Sequence, residues 1–153
     1  MQHDPHDQSP YSCTTILFRA ITSQYWIKNG EHQPKIFFRR ENNDPQGISL
    51  FDSIQACKKS MPSGVIYGVR SVHVGRLLDS PSGLGLFPDK HDPSHCNIRF
   101  SDGTLTPRLT ESPDCRNIGH DLMLVSRPVE YWEAPDADAR FAVEIEQKRA
   151  AQK

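Results

Sequence analysis

The sequence predicts an α+β domain: a mixed or mainly antiparallel sheet of about six short strands, with two or three helices. Three observations point there. Short runs rich in β-branched and aromatic residues recur along the chain, among them CTTILFRAI, GISLF and HCNIRF, and such runs suit a pleated, half-buried surface. Only a few stretches space their apolar residues as a helix does. The helices do not alternate regularly with strands, as a parallel α/β sheet would require.

Each element follows in order. Residues 1–11 hold two prolines and no apolar periodicity and read as a disordered lead-in. Cys13–Ile21 opens the fold as a strand. Ser23–Pro34 is a polar connection with an aromatic anchor, Tyr25-Trp26, and a turn signal, Asn29-Gly30. Ile36–Arg40 (IFFRR) reads as a short strand, Glu41–Gln46 as a turn-forming loop and Gly47–Phe51 as a further strand. Asp52 or Ser53 then caps a helix that runs through Ser60, because a short side-chain oxygen accepts the free amides of a first turn. Ile54, Ala56 and Cys57 face the core in it. Val65–Leu78 is the most strand-like stretch. Val69, Ser71, His73 and Gly75 share one face, Arg70, Val72, Val74 and Arg76 share the other, and a bend falls near Gly68 or Gly75. Leu84–Pro88 and His95–Phe100 are two more extended segments. Ser101–Pro113 is turn-rich. Asp114–Ser126 is a helix with Ile118, Leu122 and Val125 along one face. Val129–Glu133 (VEYWE) is a late strand or arm. The expected organisation is a single α+β domain over residues 12–134, followed by a charged helical tail over residues 135–153.

The balance of 18 basic and 19 acidic side chains in 153 residues, a net charge of −1, argues against general nucleic-acid binding, which a large positive field drives. No apolar run approaches the roughly 20 residues of a membrane helix. The four cysteines, Cys13, Cys57, Cys96 and Cys115, form no C-x-x-C pair and read as free, mostly buried thiols. With no signal peptide in view, the expected location is the cytoplasm.

Chemistry concentrates between Phe37 and Phe100. Arginine offers a rigid fork for phosphate or carboxylate, which makes Arg39 and Arg40 ligand-binding candidates; internal salt bridges to Asp44, Asp52 or Glu41 are the alternative. Arg19 joins them because a charge inside the apolar run ILFRAI must be paired or lie in a cleft. Gly47-Ile48-Ser49 places a hydroxyl where glycine permits close approach, so Ser49 is a catalytic candidate, against a plain tight turn into a core strand. His95 begins an extended segment beside a polar loop, a usual place for an acid–base group. His73 is a further ligand-binding candidate. His91 and His95 have the spacing of a zinc pair on a helix, but Pro93 between them breaks that helix, so no metal site is expected. Tyr131 and Trp132 are candidate anchors for a protein partner.

The succession LFRAI, IFFRR, DPQGIS, a helix with Ala-Cys, SVHVGR, DPSHCNI and a helix ending SRPV, over about Leu17 to Val129, resembles a set of small bacterial proteins without an assigned activity. An arginine in the first strand, a G-x-S strand leading into a helix and further short strands look somewhat like the ADP-ribosyltransferase-like fold. That likeness implies Arg19 and Ser49 as contacts to a nicotinamide dinucleotide. The catalytic glutamate of that fold has no clear match, and the late segment offers His95 instead. The expected function is therefore an interaction protein acting with a partner. The alternatives are a nucleotide-binding or ADP-ribosyltransferase-like enzyme, with NAD as a cofactor, and a metal-assisted hydrolase on His91 and His95.

Overall fold

The computed structural model of the chain describes residues 11–40, 44–61 and 66–129. Strands β1 (Ile16–Ile21), β4 (Ile48–Phe51), β5 (Gly68–His73), β6 (Leu84–Pro88), β7 (His95–Phe100) and β8 (Ser126–Pro128) form one sheet in the order β6-β7-β4-β1-β5-β8. Every neighbouring pair is antiparallel, so the fold is α+β with an antiparallel sheet. Strands β2 (Ile27–Lys28) and β3 (Glu31–His32) make a separate small hairpin. Its turn holds Asn29 at φ 53° and Gly30 at φ 80°, the left-handed pair that a two-residue hairpin turn needs.

Helix α1 (Ile54–Lys59) connects β4 to β5, which flank β1 on either side. Ser53 caps it by accepting from the Ala56 amide. Helix α2 (Val74–Leu78) follows β5, and helix α3 (Asp114–Leu124) precedes β8.

The register assigns side chains to faces, because residues alternate along a strand and cross-strand partners share a face. Leu17, Leu50, Val72 and Ile98 lie on the core face. There Ile36, Phe37, Ile118 and Leu122 cover them in one fully packed cluster. The other face carries Phe18, Ala20, Phe51 and Val69, over which α1 lays Cys57. This second cover is small. Six strands at ~4.8 Å spacing span about 24 Å, whereas six helical residues at ~1.5 Å each extend only about 9 Å. Ser49 and His95 lie on this face, on the β4–β7 flank.

Two segments depart from the expected strands. Pro34–Phe37 is a 3-10 helix and residues 38–40 are irregular, where Ile36–Arg40 was expected to be extended. Ile36 and Phe37 are consecutive and both fully buried in the same core cluster, whereas neighbours in a strand point to opposite faces; Pro34 pre-sets the φ of a first helical turn. Val74–Leu78 is helical and does not continue β5. Val74, Leu77 and Leu78 are buried at i, i+3 and i+4, and the His73 imidazole accepts from the Arg76 amide as a cap. Strand β8 begins at Ser126, which ends the preceding helix earlier than expected. The lead-in over residues 1–10, the tail and the VEYWE arm beyond Val129 lie outside the described residues.

None of the four cysteines is in a disulfide; Cys13 is exposed and Cys57, Cys96 and Cys115 are buried. Burial pushes the Cys57 and Cys96 thiols up to about 12, away from the reactive thiolate. Among the described residues no helix is long and apolar enough to cross a membrane.

Candidate functional site

On the flank that α1 leaves open lies a cleft of about 670 Å³, lined by Arg40, Ser49, Phe51, Gln55, Lys59, Asp92 and His95 among others. Ligand sites commonly enclose roughly 300–1,000 Å³. Phe51 and His95 are direct cross-strand partners, and their rings stack at 4.9 Å between centroids. Ser49 pairs with Asn97, two residues along, so Ser49 and His95 share the face as diagonal neighbours.

The β6–β7 hairpin orients His95. Its loop closes with the Asp89 amide donating to the His95 carbonyl at 3.0 Å, which faces the two side chains toward each other. His95 Nδ1 lies 2.8 Å from Asp89 Oδ2. The His91 amide, and then the His95 ring, hold the Asp89 carboxyl below its ordinary range. Asp89 is thus an ionised acceptor, and the proton of the neutral imidazole sits on Nδ1. The lone pair is left on Nε2, which is buried and has no hydrogen-bond partner among the described residues. A carboxylate on one ring nitrogen and an unpartnered second nitrogen is the arrangement of a general base.

Arg19 does not reach this cleft. Phe18 pairs with Phe51, so Arg19 points to the core face while Ser49 points to the other. Its guanidinium has five N–H groups, and all five are engaged. Nε donates to Ile36 O at 2.7 Å, Nη1 to Asp44 Oδ1 and Ser49 O, and Nη2 to Asp44 Oδ2 and Phe38 O. Asp44, itself fully buried, also binds Arg40. The Arg40 amide donates to Oδ2 at 2.8 Å, its Nε to Oδ2 at 2.9 Å and its Nη2 to Oδ1 at 3.2 Å. Burial pushes the Asp44 carboxyl up, but the Arg19 charge and the hydrogen bonds from both arginines outweigh it and hold the group well below the usual carboxylate range. Among the described residues two guanidiniums share one carboxylate, which leaves one positive charge in excess. Only Arg40 carries that charge to the cleft wall.

The remaining candidates take other roles. Arg39 is buried and braces the turn-rich loop, donating to Thr106 O at 2.6 Å and Glu111 Oε1 at 3.1 Å. His73 caps α2 and lines a separate cavity on the far flank. Gly47, with φ 129°, sits against the backbone of β7: a Cβ there would lie 2.6 Å from Ile98 O. That is the tight-turn reading rather than the ligand approach. Tyr131 and Trp132 lie outside the described residues. No group of three or more His, Cys, Asp and Glu side chains could hold a metal ion among the described residues.

Sequence reasoning missed Asp89 as the partner of His95 and Lys59 as a cation of the cleft. The signal for Asp89 was the turn-rich DKHDPSH between two extended segments, since a hairpin brings the residues at its mouth together. Arg70, buried with its donors on Ser126, Met123 and His32, was likewise unanticipated. The chain matches no protein-family model, no curated protein and no solved structure.

Proposed function

We propose that this chain is a nucleotide-handling protein that holds its ligand in the cleft on the open flank of the sheet. His95 acts there as general acid–base, Ser49 hydrogen-bonds a ribose or amide group, and Arg40 with Lys59 attracts phosphate. The observation that carries the reading is the Asp89–His95 pair, with Nε2 unpartnered among the described residues, at a cleft that His95 lines together with Ser49 and Arg40. Arg40 takes the anchoring part expected of Arg19. Among the described residues three of its five N–H groups are engaged in side-chain bonds, to Asp44 twice and to Thr22, and the other two are the donors we assign to a ligand.

The test is thermal unfolding with a nucleotide panel that includes NAD. A member at 100 times its dissociation constant should stabilise the fold by about 2.7 kcal/mol, a rise of several degrees for a chain this size. Ser49→Ala should weaken binding. His95→Asn should keep binding and lose turnover of the ligand that binds. If no member raises the melting temperature, the reading fails. The interaction-protein reading, anchored on Tyr131 and Trp132, then takes its place.

A further inference from the structure

The face that α1 covers so sparsely has a second open flank, toward β5 and β8. There a cavity of about 350 Å³ is lined by Ile16, His73, Arg76, Leu124, Val125 and Arg127, together with two serines. It shares no lining residue with the Asp89–His95 cleft and calls for a different ligand.

Its wall combines two chemistries. Leu124 is 77% exposed and Ile16 41% exposed, so branched apolar side chains stand open to water at one place. Beside them stand Arg76 and Arg127, both exposed. Neither guanidinium makes a hydrogen bond or ion pair among the described residues, unlike Arg19, Arg39 and Arg40, which all have carboxylate partners. No Asp or Glu lines the cavity among the described residues. His73 adds a third donor: its Nδ1 accepts from the Arg76 amide at 3.2 Å, so the proton of the neutral ring must sit on Nε2. Among the described lining residues every charged group is a cation, the imidazole presents a donor edge, and Ile16, Leu124 and Val125 supply apolar surface beside the two serines.

We propose that this cavity binds an anionic amphiphile. Arg76, Arg127 and the His73 Nε2–H hold a carboxylate or phosphate head group, and the apolar chain lies along Ile16 and Leu124. Guanidinium forks match both head groups. An apolar chain removes from water the surface that Leu124 and Ile16 expose.

The experiment is a titration of the full chain, followed by backbone amide NMR, with four probes below their micelle concentrations: decanoate, decyl phosphate, decyl maltoside and acetate. Decanoate or decyl phosphate should give saturable shifts at residues 71–76 and 124–127, and the tighter of the two names the head group. Decyl maltoside and acetate should bind at least about tenfold more weakly, as each lacks one half of the recognition. Arg76→Gln and Arg127→Gln should each weaken binding by about tenfold, and Leu124→Ser should weaken it without changing the head-group preference. Both arginines are exposed, so an unchanged melting temperature shows that the variants fold. Absence of saturable shifts, equal binding of the uncharged maltoside, or unchanged affinity in both arginine variants would overturn the proposal.

Discussion

Asp44 accepts from Arg19, Arg40 and the Ser49 amide at once. Removing its charge strands the buried Arg19 guanidinium without a counter-ion, and breaking a buried pair from one side costs about 3–5 kcal/mol. Asp44→Asn should therefore lower stability by that order in urea unfolding at neutral pH, and a loss within the ~0.5 kcal/mol of ordinary surface changes would contradict the pairing. The native carboxyl lies below its unfolded value of about 3.9. Its stabilisation is thus full above that pH and is withdrawn as pH falls below it. At this scale the sequence was partly legible. A lone arginine in ILFRAI announced a charge that had to be paired, and Asp44 was among the acids in reach of its neighbours. Which face the arginine takes was not legible, because one step of strand register exchanges the faces.

Strand β4 begins with a backbone contact that only glycine permits. Gly47 has φ 129° and its missing Cβ would meet Ile98 O at 2.6 Å. Gly47→Ala should destabilise by about 2 kcal/mol or more, through the positive φ and the displaced β4–β7 pairing together. Urea unfolding checks it, and an unchanged midpoint would mean that β4 shifts without cost. Elements whose local pattern agrees with their surroundings were legible: β1, β4, β6, β7, the Ser53-capped α1 and the body of α3. Ile36–Phe37 and Val74–Leu78 were not. Their β-branched and aromatic residues favour a strand, but in each case consecutive or helically spaced side chains must all reach the same core. Tertiary packing overrode local preference there.

Across the molecule, one contact joins the small hairpin to the sheet and to the end of α3. Arg70 of β5 reaches His32 Nδ1 at 3.2 Å while donating to Ser126 and Met123. Burial, and then the Arg70 charge, push the His32 imidazole down to about 4. The unfolded chain takes up that proton near pH 6.5, the folded chain not until about 4. The native state should therefore lose stability as pH falls from about 6.5 toward 4. His32→Gln should flatten this slope in urea midpoints measured between those limits. Equal slopes in the two proteins would remove His32 as the cause.

The sequence by itself determined the class of fold, the positions of most strands, the free thiols and the region that holds the candidate cleft. These follow from local composition, periodicity and charge, which each segment carries within itself. Only the tertiary structure decided that Arg19 braces the core while Arg40 faces the cleft, that Asp89 orients His95, and that among the described residues one short helix covers only part of a sheet face. Each of these depends on which strands pair and in what register, and hydrogen bonds between residues far apart in the chain set that choice.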